Sequence, residues 1–468
     1  MRGYCLIASL VWLLGAVGGQ TALAGDDDNP LRSLDSSRAG FPFAGDWAPE
    51  DRTPLPGLPP PIARLPEKPE PDAAPHPQPP AALTLEDLQR IALESNPTIV
   101  QARMAVRAAE GRYIQAGLYP NPVVGYSGGD MGLEGTAGQQ GVTLGQEIVT
   151  GGKLRLGRAV AAHEIQQARH GLEMQRWRVL NDVRAGCYEV LLAQKRIAIN
   201  DELVRIGENG LAATEKLRAA EEVSRADILQ ARIEAEKAKL GLVQARNDHR
   251  TAWRKLASVV GQPAKEPAPL AGNPAEDLPE LNFEDVLAQL MSQSPELAQA
   301  RAGIERARCE LARQRAKRLP NVEVGMWIKQ DQITLEGVAD VELAMPLPVF
   351  NRNQGGITEA QAGLIAADRE LRRIELALHR RLAEAFGTYI NARRRVEAYT
   401  NTILPDARES RKLVSDNYPE HFGYLELLTA QRTFFSVNLE CLAALEELWA
   451  RSIEIEGLLL SGSLKPLK

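Results

Sequence analysis

From Pro97 onward the apolar positions fall at Ile99, Ala102, Val106, Ala109 and Tyr113, in steps of three and four. That spacing predicts an amphipathic helix with a coiled-coil seam. The same steps return at Leu297, Ala300, Ile304, Ala307 and Leu311. Pro97 and Pro295, like Arg103 and Arg301, stand 198 apart by subtraction, whereas Pro120 and Pro320, like Gly125 and Gly325, stand 200 apart. The chain is therefore a duplication, with two residues inserted between the seam and the second proline.

Each seam ends at Leu-x-Pro or Leu-Pro, and a period of two takes over. Val322, Val324, Met326 and Ile328 alternate with Glu323, Gly325, Trp327 and Lys329; Val341, Leu343, Met345 and Leu347 alternate with Asp340, Glu342, Ala344 and Pro346. In the first copy Val124 and Tyr126 precede a Gly-rich loop, followed by Val142, Leu144 and Ile148. One strand hairpin is predicted in each half, at 121–149 and 320–349. Its strands are about 10 residues long, the length a tilted strand needs to cross a bilayer.

A corner follows each hairpin (VTGGK, then FNRNQGG), and after it a long helical segment. Val183, Val190, Ile197 and Val204 form a heptad column. A helix from Lys153 to Ala219 would measure about 100 Å at 1.5 Å per residue, which makes it a rod. Gly207 and Gly210 in one half, and Pro405 at 198 residues after Gly207, predict a kink at the same level in both. The return helices carry the clearest seams. Ile228, Ala231, Ala235, Ala238, Leu242, Ala245, His249, Ala252 and Leu256 step by three and four. Leu428, Phe435, Leu442 and Trp449 form one column beside a second of Leu427, Phe434, Cys441, Leu448 and Ile455, a wider buried face.

Composition narrows the picture. In 468 residues the net charge is -6, which argues against a nucleic-acid partner, and aromatic content of 5% favours long thin helices over a thick core. Residues 1–24 read as a secretory signal: Arg2, an apolar run, then Ala22-Leu23-Ala24. Cys5 lies ahead of that run, so no lipid anchor is expected. Residues 25–82 hold about half of the 30 prolines and read as a disordered or polyproline segment. The first repeat is assigned to 83–275, the second to 276–462, and a tail to 463–468. Cys187, Cys309 and Cys441 fall on three separate predicted helices and read as small buried hydrophobes. After the signal no apolar run approaches the roughly 20 residues of a membrane helix, so any membrane passage must be made by strands.

Candidate chemistry is sparse. His163-Glu164 would need a second histidine at 167 to make a zinc-peptidase motif, and Gln167 stands there. His163 and His170 read as a solvated helix face, and Gly151-Gly152-Lys153 as a strand-to-helix corner. No nucleophile with a base, no metal set and no cofactor fingerprint is present, so no enzymatic activity, metal or cofactor is expected. The charges that draw notice cluster at the helix turns: Glu221, Glu222 and Asp227 at one, Asp416, Glu420 and Glu426 at the other.

Four amphipathic strands cannot close a barrel, whose smallest membrane form has about eight. An open sheet in lipid would leave its edges unpaired. The strands must therefore be pooled between chains, together with the helices continuous with them. The fold class is mainly α with a small β part: a long α-helical coiled-coil barrel continued by a four-strand contribution to a transmembrane β-barrel, in two structural repeats. Such an object is a duct. The competing reading is a secreted periplasmic coiled-coil scaffold without channel activity, its hairpins capping the rods.

The sequence resembles the TolC family of outer-membrane efflux proteins over Thr84 to Gly462. The resemblance is carried by the Asn96-Pro97 and Ser294-Pro295 helix starts, by LYPNPVVG and RLPNVEVG, by the strand-to-helix corners, and by EEVSRADILQAR and HFGYLELLTAQR. SRADILQAR is most similar to the heavy-metal efflux branch. The resemblance implies a homotrimer in the outer membrane, with twelve pooled strands and a helical barrel extending into the periplasm. It also implies a periplasmic membrane-fusion adaptor docked at the helix tips, joined to an inner-membrane efflux pump. Carried onto this chain, Glu222, Val223, Ser224 and Asp227 with Phe422, Gly423 and Glu426 mark the adaptor-docking tips. Glu222 stands where the family's tip motif usually has glycine. Asp416 and Glu420 are the expected periplasmic gate.

Overall fold

The computed structural model describes residues 83–132, 135, 137–219, 223–276, 278–332, 334–417 and 423–465. The expectations for the signal and the proline-rich segment lie outside these residues.

Two short helices open the first half, α1 (Leu85–Ser95) and α2 (Pro97–Gln115). Asn96 separates them: its side chain accepts the Thr98 N–H, and Pro97 supplies the first helical residue, whose missing N–H would be unpaired anyway. Strands β1 (Val123–Gly129) and β2 (Gln139–Ile148) follow, then the rod α3 (Lys153–Ala219) and its return α4 (Arg225–Val260). The second half repeats the order: α5 (Phe283–Gln293), α6 (Pro295–Ala316), β3 (Val322–Asp331), β4 (Gly337–Ala344) and α7 (Gln354–Ala398). A π-helical turn, Tyr399–Ile403, leads into α8 (Leu404–Asp416), and α9 (Tyr424–Glu456) returns.

The α3 rod has the bounds its pattern predicts. Along α4, Ala231, Ala235, Ala238, Leu242, Ala245, Ala252 and Leu256 are all buried, so the alanine seam is the contact with α3. His249 is half-buried in that seam, and burial pushes its imidazole below its ordinary value. Both columns of α9 are inward as well, apart from the half-buried Leu427. Cys187 and Cys441 are buried and Cys309 half-buried; burial pushes the Cys187 thiol up to about 11.

The two halves differ at the level where a kink is expected in both. α3 stays α-helical through Gly207 and Gly210. A Cβ on Gly207 would stand 3.1 Å from the Ala235 Cα, so that glycine allows close approach of α4. In the second half the π-helical turn ends just before Pro405, whose ring and missing N–H disturb the preceding turn.

A linker joins the halves and is held from both. The Trp253 indole donates to the Lys265 carbonyl at 2.8 Å, and the Trp449 indole to the Pro274 carbonyl at 2.7 Å. Tyr389 donates to the Pro279 carbonyl and accepts the Leu281 N–H. Leu83 bridges to Leu270, where the described chain begins.

Candidate functional site

The four strands form one antiparallel sheet in the order β1-β2-β3-β4. Strands β2 and β3 join the two hairpins, with Val142 opposite Ile328, Leu144 opposite Met326, Gln146 opposite Val324 and Ile148 opposite Val322. On the flanks Tyr126 meets Val142, Val124 meets Leu144, Met326 meets Val341 and Val324 meets Leu343. Directly opposed residues share a face. The four alternating patterns therefore merge into a single apolar surface, interrupted among these pairs only by Gln146. That surface is bare in the single chain: Val124 is 69%, Val341 75% and Leu343 74% exposed. A contiguous exposed apolar face marks a surface that meets lipid or another chain.

The opposite face holds Thr143, Glu147, Glu323, Trp327, Lys329, Asp340 and Glu342. Lys329 pairs with Asp340 across the strands at 3.6 Å. The sheet is thus oily on one side and aqueous on the other, the division of a channel wall. At the foot of the wall, Asn321 ties the halves together. Its amide donates to Glu147 Oε1 at 2.5 Å and its carbonyl accepts from Thr150 N–H and from the Lys153 ammonium. Burial pushes Lys153 down, and the Glu147 carboxylate opposes that shift. Sequence reading gave Asn321 no role; its recurrence as Asn121, 200 residues earlier, was the available signal.

The sheet has two open edges, β1 and β4. Two helices also carry bare apolar side chains: Leu240 (69% exposed) and Val243 on α4, Ile365 (62%) and Leu376 on α7.

At the first tip, Val223 is half-buried and Ser224 exposed. Ser224 caps α4 by accepting the Asp227 N–H, while the Asp227 carboxylate accepts both the Ser224 N–H and hydroxyl, a reciprocal capping box. These hydrogen bonds hold Asp227 below the usual carboxylate range. The second tip lacks the hydroxyl. Gly423 stands at the cap of α9 with no side-chain bond, and a Cβ there would meet Glu426 Oε2 at 2.8 Å, so the carboxylate lies over the glycine. Asp416 is the exposed last residue of α8. Glu222, Phe422 and Glu420 lie outside the described residues. The return helices α4 and α9 are joined above the tips by Arg432, which donates to Glu234 at 3.0 Å, a pair again 198 apart. Burial raises the Glu234 carboxyl, but Arg432 and Lys237 outweigh it and hold the group below its ordinary value. That pair too escaped sequence reading.

Comparison with known proteins agrees with this geometry. The pattern of the family described as "Outer membrane efflux protein" matches residues 88–262 and 286–459, one stretch in each repeat. The cobalt-zinc-cadmium resistance protein CzcC of Cupriavidus metallidurans is 27% identical over 383 residues, 81% of this chain and 90% of that protein. Among solved structures, CusC superposes with a TM-score of 0.68 at 17% identity, covering 81% of this chain and 92% of that one. The open-state MtrE channel of Neisseria gonorrhoeae superposes at 0.66 and 19% identity, covering 81% and 89%. The structural likenesses show a common fold.

Proposed function

The chain belongs to the outer membrane efflux protein family, an outer-membrane channel of tripartite efflux reaching into the periplasm, and we propose that it works as a homotrimer. The observation that carries this reading is the sheet: one apolar face, one polar face and two open edges, on four strands among the described residues. Twelve strands from three chains would close the barrel, pairing β4 of each chain with β1 of the next. The bare apolar side chains of α4 and α7 would meet in the same closure. Cysteines placed on the edge strands β1 and β4 should cross-link into species that stop at three chains; a ladder ending at two, or no cross-link, would overturn the trimer.

In this assembly the repeats 83–275 and 276–462 contribute equivalent segments to the tube, and the mature chain starts after Ala24. Its periplasmic end receives a membrane-fusion adaptor, which connects it to an inner-membrane pump. Val223, Ser224 and Gly423 present the docking tips, with Glu222 and Phe422 beside them. Asp227 shapes the first tip by capping α4, and the Glu426 carboxylate lies over Gly423 at the second. The channel conducts passively; docking moves the coiled coils from closed to open. Asp416 and Glu420 are the gate, where like charges crowd around the axis. Their neutral amide variants should raise single-channel conductance in planar bilayers, and unchanged conductance would remove them from the gate. The similarity to a cobalt-zinc-cadmium resistance protein favours divalent metal ions as cargo. Loss of metal resistance in cells lacking the channel, restored by the intact chain, is the corresponding test.

A further inference from the structure

Where α6 hands the chain to β3, and β4 hands it to α7, lies a cleft of ≈490 Å³ lined by Arg315, Arg318, Leu319, Pro348 and Arg352. Three guanidinium groups share this cleft with no carboxylate among its lining residues. Among the described residues none of the three is ion-paired with a carboxylate; the only side-chain bond they make is from Arg352 Nε to the Pro348 carbonyl at 3.3 Å. Arg313, on the same helix, shows the ordinary arrangement instead, paired with Glu310 at 2.8 Å. All three side chains are exposed, so water screens their mutual repulsion, and an anion between them would be attracted by all three.

The rim of the cleft indicates which anion. Leu319, 55% exposed, lines it directly, and Pro348 belongs to an exposed apolar run in which Leu347 is 73% and Phe350 90% exposed. Val322, the first residue of β3, follows Arg318 by four positions, so the arginines sit at the periplasmic edge of the strands. At the corresponding corner of the first repeat, Tyr113, Tyr119, Arg155 and Arg158 line a second cleft, with the Arg158 guanidinium 4.7 Å from the centre of the Tyr113 ring. Aromatic and basic side chains together mark the level of lipid headgroups. A free phosphate would need only the arginines; a ligand with a phosphate at one end and acyl chains at the other also uses the apolar rim.

We propose that the cleft formed by Arg315, Arg318 and Arg352 binds the phosphate headgroup of an anionic glycerophospholipid in the leaflet facing the periplasm. The proposal rests on the strands spanning the membrane. It gives the channel a fixed contact at the depth where barrel becomes helical tube, which sets the height of the tube relative to the bilayer.

The test uses the full chain purified as its native assembly and reconstituted in nanodiscs of phosphatidylcholine with or without phosphatidylglycerol. Native mass spectrometry of the released assembly should show phosphatidylglycerol retained over phosphatidylcholine by at least about tenfold, given a gain of roughly fivefold per arginine near the headgroups. The R315Q/R318Q/R352Q variant should lose that preference, and R315K/R318K/R352K should keep part of it, separating charge from folding. Equal retention of both lipids by the intact chain overturns the proposal, as does an unchanged preference in the glutamine variant. Inorganic phosphate that displaces phosphatidylglycerol completely at millimolar concentration would assign the cleft to free phosphate and overturn the lipid. A chain that inserts and conducts but shows no lipid preference defeats this proposal alone, whereas one that does not insert defeats the membrane reading with it.

Discussion

The Asp227 carboxylate accepts the Ser224 backbone N–H at 2.9 Å and the Ser224 hydroxyl at 2.7 Å, so the acidic residue at the first tip is engaged in holding its own helix start. Removing the hydroxyl in Ser224→Ala should destabilise the α4 start by about 1 kcal/mol. The folded pKa of Asp227 is depressed, first by the Ser224 hydroxyl and then by its N–H. The contribution is therefore complete above the unfolded carboxyl value of about 4 and is lost as pH falls through the lower folded value. Protection of the first-turn amides of α4, taken relative to the intrinsic exchange rate at each pH, should fall only below about pH 4. Loss of protection between pH 7 and 5 would contradict the capping role.

Met326 lies in the middle of β3 on the apolar face, opposite both Leu144 and Val341, while Thr143 lies on the other face opposite Trp327. Met326→Arg should cost about 2–4 kcal/mol near the bilayer midplane, whereas an arginine on the lumen side changes conduction instead. Heat-resistant assembly formed in vesicles should fall for Met326→Arg and persist for Thr143→Arg, with altered conductance. Equal assembly of both variants would reverse the assignment of the two faces.

Gly207 and Gly387 are both helical but in different surroundings. A Cβ on Gly207 meets the Ala235 backbone, whereas one on Gly387 meets nothing within 4 Å. Gly207→Leu should force α3 from α4 at a cost of about 1–3 kcal/mol. Gly387→Ala should stabilise α7 by up to about 1 kcal/mol. The opposite signs should be visible as shifts in thermal unfolding of the detergent-solubilised chain.

The Trp449 indole donates to the Pro274 carbonyl and stacks on Tyr188 at 3.8 Å. Trp449→Phe keeps an aromatic ring there but strands a buried carbonyl, at a cost of about 1–3 kcal/mol. The linker should then become more sensitive to protease, read as cleavage between Gly261 and Leu281 during limited digestion. Unchanged cleavage would mean that the linker is held by its other contacts.

Periodicity by itself determined the duplication, the helix and strand identities, the length of α3 and the alanine seam of α4. Side-chain direction repeats every 3.6 residues in a helix and every two in a strand, so buried faces are written locally along the chain. Tertiary structure decided the rest. The register that places Leu144 against Met326 joins residues from different repeats, and no local pattern states it. Asn321 as the tie between Glu147 and Lys153, and the Glu234–Arg432 pair, likewise depend on approaches between distant segments. Gly207 read as a breaker because its sequence shows the missing side chain but not the Ala235 backbone lying where that side chain would be. That the Asp227 carboxylate accepts from Ser224 likewise shows only in the fold, because the sequence reports that a carboxylate is present and not which donors it faces.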